Sequence, residues 1–448
     1  MLLFVIILLS ACKKYLQKIP DESMMVPTTI ADYRKLLDND PMTNNSTPGL
    51  GPLGADDLVV PYASWQVADP ISRNAYTWQP DIYQGQSTLA WNNPYTVIYT
   101  CNVVLNGLGL LTDVGSADRE EYNEVMGTAL FYRAFMFYNL EETFGQPYRP
   151  ATARKDAGIP LRLSADPDQP MGRATVQAVF DQISDDLTRS IPLLPSTVQW
   201  LRRNRPCKAA AFALLARAFL TRQAYTNAKS YADSCLHLYN GLVDYDTVEV
   251  ATPRPFHPGG NDEVLFQCSS VAFPMQYAST SMVDSLLYNS YDTNDLRKAI
   301  FFRVAPDGKG VSFRGQYTGR IYLFSGLAND EVYLIHAECN ARTGNGAAAL
   351  EDLNTLLSHR WKVGRFHPYT AAAADDALRL VLTERRKETV FRELRWADLR
   401  RLNQGPFAIT LKRVLNGTVD TLPPNDPRYA YPIPDDEIRL SGIAQNPR

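Results

Sequence analysis

Residues 384–403 read ERRKETVFRELRWADLRRLN and hold six arginines, one lysine, four acids and one tryptophan in twenty positions. From Asp375 onward, Leu378, Val381 and Leu382, and then Thr389, recur at helical spacing and lead a helix into the block. Within it, Phe391, Leu394, Trp396 and Leu399 add an apolar load that a solvent-facing helix does not need. The charges are therefore expected to be partly buried, and buried charges must be paired. The block is expected to act as a charged lock between the end of the chain and an all-helical body. Its arginines would pair with its own interleaved acids. Arginine-rich stretches also bind anionic substrates, but the alternation with acids and apolar residues favours a structural role.

Upstream, the chain reads as helix upon helix. Periodic apolar segments cover 31–37, 90–110, 122–144 (with Gly145 as C-cap), 175–194 (closed by Pro192 and Pro195), 208–221 and 225–238. Two further segments at 327–342 and 347–360 repeat the plan. ALLARAFLTRQAYTNAKSYADSCL (213–236) resembles a tetratricopeptide unit, with small residues at the helix crossing and an aromatic at the turn. YLIHAECNARTGNGAAALEDLNTLLSHR (333–360) has the same layout, with Gly344 and Gly346 at the turn. Such pairs stack into a curved array. Residues 240–325 interrupt it with loop-rich sequence. Val264–Cys268 and Ile321–Phe324 are expected strands there, and an insertion of this length is expected to carry function. Lys412–Leu422 is expected to form a hairpin turning at Asn416-Gly417.

At the start, Leu2–Leu9 is an apolar run of eight residues. A membrane-spanning helix needs about 20, so the run fits the core of a secretory signal. It ends Leu9-Ser10-Ala11-Cys12, the pattern of a bacterial lipoprotein signal, although the usual basic segment ahead of the run is missing. Residues 1–11 are expected to be removed and Cys12 to be lipidated. The mature chain, 12–448, is expected to be one domain, tethered through a polar leash to Pro27. Its loop-rich insertion is placed at about 241–325, between an N-terminal half and a C-terminal region beginning near 326.

The chain has 448 residues, a formal net charge of −3 and 45% hydrophobic residues, ample for a folded core. No basic bias suggests a nucleic-acid partner. Apart from Cys12, the cysteines (Cys101, Cys207, Cys235, Cys268, Cys339) are odd in number and form no CxxC pair. They exclude a zinc motif and suit small buried residues better than a disulfide framework. Nucleophile-elbow, phosphate-loop, zinc-protease and dinucleotide motifs are absent, and the five histidines do not cluster in sequence. His336 is expected to be a satisfied core histidine. No catalytic residue, metal site or cofactor is expected, although paired carboxylates of a hydrolase can lie far apart in sequence.

Two regions concentrate aromatics. Between 62 and 91 stand Tyr62, Trp65, Tyr76, Trp78, Tyr83 and Trp91, mixed with Arg73 and several amides. Flat rings stack on sugar C–H faces and the polar groups satisfy hydroxyls, but such rings equally plug a loop-rich core. Trp65 and Tyr83 lie in loop-like sequence and suit a site; Trp91, Tyr95, Ile98 and Asn102 repeat at helical spacing and suit packing. The second region holds Tyr277, Tyr288, Tyr291 and Tyr317. Residues 39–61, rich in Asn, Pro and Gly, are expected to be loop, and Asp56 and Asp57 within them to cap a turn.

Five pieces in order carry a family resemblance: the Cys12-Lys-Lys-Tyr-Leu start, Trp91 to Asn102, the helix from Arg133-Ala134-Phe135 to Gly145, the 384–403 block, and Tyr431-Pro432-Ile433-Pro434 with Glu437 and Gln445-Asn446-Pro447. The chain resembles the SusD/RagB family of Bacteroidetes outer-membrane nutrient-binding lipoproteins. The resemblance implies a mostly α fold: four tetratricopeptide-like helix pairs carrying a loop-rich ligand face and a few short strands. It implies a non-enzymatic, cell-surface glycan-binding lipoprotein that delivers oligosaccharide to a SusC-like TonB-dependent transporter. A peptide-binding member and a scaffold lipoprotein are the alternatives. No family motif fixes the ligand residues. Tyr62, Trp65, Arg73, Trp78, Tyr83, Tyr277 and Tyr288 are the candidates, with Trp78 also a structural choice because Tyr-Thr-Trp recurs in the family. Cys12 is followed by lysines rather than the acids of a common export pattern, which keeps an inward-facing anchor open. Cys12→Ala is expected to release the protein from membranes; persistent membrane association of the variant would refute lipidation.

Overall fold

The computed structural model describes residues 27–448, apart from 306, 307, 309, 371 and 372. The expected leader and Cys12 lie outside the described residues. Among those described, no helix is long and apolar enough to cross a membrane.

The fold is mostly helical. After α1 (Ile30–Leu37) come α2 (Leu89–Gly109), α3 (Arg119–Phe144), α4 (Val176–Ser190), α5 (Lys208–Thr221) and α6 (Tyr225–Leu238). Then follow α7 (Asn329–Arg342), α8 (Gly346–Ser358), α9 (Ala374–Glu388) and α10 (Leu394–Leu402). From α2 to α9 each helix packs on the next, so the stacked array expected from the sequence is present. Although residues 239–328 separate α6 from α7, these two helices pack directly on one another; the insertion leaves the array and returns to it.

Local chemistry sets the helix ends. Thr29 and Asp32 form a reciprocal capping box at α1, while Thr175 and Asn345 accept from backbone N–H groups at the starts of α4 and α8. The alanines of α5 (Ala209, Ala210, Ala211, Ala213, Ala216) are fully buried, as are Ala228 and Ala232 of α6. Small side chains there let the two backbones approach closely. Cys101, Cys207, Cys235, Cys268 and Cys339 are buried free thiols. His336 of α7 lies 2.7 Å from both Asp352 and Asp233.

Strands are short and paired two by two. Leu58–Val59 pairs with Met282–Val283, Val264–Phe266 with Leu327–Ala328, and Phe302–Val304 with Val311–Phe313. The C-terminal hairpin, Leu411–Leu415 with Thr418–Leu422, turns at Asn416 (φ 48°) and Gly417 (φ 83°), the two positive-φ positions such a turn needs. Three expectations need correction. Of Ile321–Phe324, expected as a strand, only Phe324 bridges, to Ser269. The expected loop at 39–61 contains a helical turn, Gly51–Gly54, and the strand Leu58–Val59. Asp56 and Asp57 are ion-pair partners rather than turn caps: Arg395 donates to Asp56 at 2.6 and 2.9 Å, and Arg386 to Asp57 at 3.3 Å.

The 384–403 block is buried, as expected, but most of its partners lie outside it. Arg385 and Arg401 share Asp398 within the block, and Lys387 pairs with Glu384. Arg401 also forms a two-pronged pair with Glu338 of α7, and Arg392 pairs with Asp330. Glu388 accepts from Arg360 at 2.7 Å and from Arg297 at 2.9 Å. Arg297, wholly buried, also holds Asp295 (2.7 Å) and Glu384 (2.6 Å). Burial opposes ionisation of Glu388, yet Arg360 and Arg297 outweigh it and pull its carboxyl down to about 2. Arg400 serves differently: it donates to the carbonyls of Glu142 (2.6 Å), Gly145 (3.0 Å) and Tyr429 (3.2 Å). It thereby caps the carbonyl end of α3 and ties the C-terminal segment to it.

Between α9 and α10 the backbone makes a sharp turn with Phe391 (φ 56°) and Glu393 (φ 61°) in the left-handed region, which costs L-residues energy and is held by their surroundings. The Trp396 ring closes on the Gly51–Gly54 turn, where a Cβ at Gly54 would come within 2.7 Å of that ring and 2.5 Å of the Tyr431 hydroxyl. Removing one member of a buried ion pair strands its partners' charge, at about 3–5 kcal/mol. Arg297→Met leaves Asp295, Glu384 and Glu388 short of a donor. It is expected to lower the unfolding free energy read from a urea titration by a margin of that size; an unchanged value would show that the network contributes nothing to stability.

Candidate functional site

The insertion and the segment before α2 meet at one face. The Leu58–Val59 strand delivers the chain through Pro61 into a short helix, Tyr62–Val67. Its pairing with Met282–Val283 brings this helix beside residues 277–283 and the Phe302–Val304/Val311–Phe313 hairpin. Two adjoining recesses open here, of about 330 and 300 Å³, sharing Ala278, Ser279 and Ser312 as a common wall. Volumes of this order suit a small ligand or part of a larger one.

The first recess is lined by Tyr277, Arg254, Arg303, Arg314, Gln316 and Phe313, among others. Phe313 forms part of the floor. It stacks on Phe391 (centroids 4.8 Å apart, rings within 20°), so the strained turn of the charged block supports this floor from behind. Arg314 is half-buried and donates to the carbonyls of Ala299 (2.6 Å), Thr252 (2.8 Å) and Val250 (2.9 Å), which fixes the recess wall. Burial, with Arg303 nearby, lowers the Arg314 pKa. Among the described residues, none lining either recess is a carboxylate or a histidine. Hydroxyls, an amide, guanidinium groups and a phenol ring can hold and orient a polar ligand. They do not supply an acid–base pair.

The expected site residues divide. Tyr277 lines the first recess and is half-exposed. Tyr62 and Trp65 ride on the short helix whose Ser64, with Pro61 just before it, borders the second recess. Their rings stack on each other at 5.9 Å, and Arg73 sits 6.0 Å from the Trp65 ring centroid while accepting the indole N–H at its carbonyl. These three form an aromatic–cation group at the rim and line neither recess. Tyr288 packs edge-on against Phe302, with the Lys298 ammonium 4.9 Å from its ring, also outside both recesses.

Trp78 and Tyr83 were expected in the site and are core residues instead. Trp78 is 1% exposed, donates to the Gly54 carbonyl at 3.0 Å and lies under the Arg413 guanidinium of the C-terminal hairpin. Tyr83, also 1% exposed, donates to the Pro432 carbonyl at 2.8 Å. The chain ends that cover both rings lie more than 300 residues away, beyond the reach of local pattern. Tyr291 and Tyr317 of the second aromatic region are likewise buried. The arginines 254, 303 and 314 escaped notice in the sequence because one lies in a loop and the other two on and beside the strands of a hairpin, and no motif links them.

A further recess of about 390 Å³ lies between α2 and residues 162–167, bordered by Trp91, Tyr95 and Tyr99. Its polar groups already bond one another: Trp91 donates to Glu437, and Asn102 to the carbonyls of Arg162 and Ser164. Trp91 and Tyr95 pack as expected, with centroids 4.8 Å apart. Glu263, Asp330 and Glu388 bring three carboxylates together in the interior, the arrangement of a possible cation site. Arg360, Arg392 and Arg297 occupy these oxygens, and Tyr317 donates to Glu263 at 2.8 Å. The arginines supply balancing charge, so the cluster is part of the lock.

Residues 14–220 match a family described as starch-binding and associating with the outer membrane, and residues 330–448 match the SusD family. The SusD-like protein P2 of Formosa agariphila is 25% identical over 394 residues, covering 74% of each chain. A SusD superfamily protein from Bacteroides thetaiotaomicron superposes with a TM-score of 0.77 at 22% identity, covering 94% of this chain and all of the other. A SusD-like carbohydrate binding protein from Bacteroides vulgatus does so with a TM-score of 0.67 at 18% identity, covering 93% and 97%. The two solved structures share the fold with this chain. With the charged block, the stacked helix array and both family matches on the same chain, it belongs to the SusD/RagB family.

Proposed function

We propose that this chain is an outer-membrane lipoprotein that captures an oligosaccharide at the face formed by the two recesses and passes it to a SusC-like TonB-dependent transporter. The observation that carries the reading is the first recess: a half-exposed Tyr277 ring beside hydroxyls, an amide and guanidinium groups, with no carboxylate or histidine among its described lining residues. An aromatic platform takes the C–H face of a sugar, and the polar groups take its hydroxyls. The Tyr62, Trp65 and Arg73 group offers a second contact along a longer chain. Binding needs no covalent step, and the rigid helices behind the face keep it preformed. Family membership and the carbohydrate-binding description of the Bacteroides vulgatus protein support the same reading. The apolar run ending at Cys12 supports lipid anchoring.

A glycan array probed beside a peptide library tests the capture step. Binding to at least one oligosaccharide is expected, and Tyr277→Ala is expected to weaken it about five- to tenfold, the loss of roughly 1 kcal/mol or more of ring contact. Binding to peptides with no glycan retained would contradict the proposal. An undiminished affinity of the Tyr277→Ala protein would place the ligand elsewhere.

A further inference from the structure

The arginines around the first recess differ from those of the charged block. Every arginine between 384 and 403 has a carboxylate or carbonyl acceptor within the protein. By contrast, Arg254 and Arg303 are exposed, and among the described residues neither guanidinium has a hydrogen-bond acceptor or an ion-pair partner. Both border one recess with Tyr277, and Arg314 adds a third positive charge to the same wall. Arg303 stands directly opposite Ser312 in the hairpin, so the backbone pairing sets its position at the rim. A chain that pairs its other clustered arginines so thoroughly leaves these without a partner among the described residues, at the mouth of a recess.

We propose that this recess selects glycans bearing anionic groups, carboxylate or sulfate ester, with Arg254 and Arg303 as the anion-binding side chains and Tyr277 as the stacking platform. The inference rests on glycan capture at this face. A guanidinium matches a carboxylate or sulfate with two parallel N–H donors, a geometry neutral hydroxyls do not exploit as well. Repulsion between neighbouring like charges is relieved when an anion binds between them. The attraction is local: the formal net charge of the whole chain is −3, so a polyanion gains nothing from the protein's overall field.

Titration calorimetry on the full chain in detergent, with three probes, tests this: alginate oligosaccharide (carboxylate only), carrageenan oligosaccharide (sulfate without carboxylate) and laminarin oligosaccharide (neutral). At least one anionic probe is expected to bind at least tenfold more tightly than the neutral one, and which of the two identifies the group recognised. Raising the salt from 50 to 500 mM should weaken that binding several-fold through screening. Arg254→Gln with Arg303→Gln should weaken it about tenfold or more and should remove most of the salt dependence. Because neither side chain has a partner within the described protein, the thermal midpoint should not move. Binding of laminarin as tight as either anionic probe, without salt dependence, overturns the anionic preference and leaves glycan capture standing. Anionic binding unaffected by the double substitution overturns the assignment of Arg254 and Arg303. Failure of all three probes on a protein that binds peptides overturns both readings.

Discussion

Glu388 accepts from two arginines that arrive from different parts of the chain: Arg360 just after α8, and Arg297 in the insertion. Each guanidinium then holds further acids, Glu263 for Arg360, and Asp295 and Glu384 for Arg297. All of these groups are buried, and a buried charge without its partner is costly enough to unfold a marginally stable chain. The network therefore fixes the insertion, the last helix pair and the 384–403 block to one another in a single arrangement. Hydrophobic packing alone tolerates sliding and repacking; paired charges in fixed geometry do not.

This constraint reaches the face with the two recesses through the backbone turn between α9 and α10. The turn holds Phe391 in the left-handed region, and Phe391 stacks on Phe313 at the floor of the first recess. The same turn supplies Arg392, which pairs with Asp330 at the start of α7. The floor of the recess is thus mounted on the charged block, while its walls come from the insertion. Charge has two separate uses in this molecule. Inside, arginines are matched to acids; at the recess, Arg254 and Arg303 are exposed and have no partner among the described residues.

The helix array was legible because its signal is local. The alanines of 208–221 and the repeat-like layout of 333–360 declare their helices within a few turns, and Asn416-Gly417 declares its hairpin. The burial of the 384–403 block was legible too, since Trp396 and Phe391 amid arginines fit no solvated helix. Its partners were not, because Asp56, Arg297, Asp330 and Glu338 lie at distances in sequence that only the tertiary fold closes. The same limit explains Trp78 and Tyr83. Each sits in polar, loop-like sequence, yet the C-terminal segment (Arg413, Pro432) returns over 300 residues later to bury it. Tyr277 stays half-exposed at the recess because nothing distant covers it, and the recess arginines were invisible because the tertiary fold, not a motif, brings them together.

The central claim is the division between an internal charged lock and a separate ligand face. Hydrogen–deuterium exchange of the chain with and without a saturating oligosaccharide tests it most directly. Ligand-dependent protection is expected at residues 252–256, 275–283 and 302–316, with residues 384–403 equally and strongly protected in both states. Protection appearing at 384–403 on binding, with no change at those recess segments, would contradict the account and move the ligand onto the charged block.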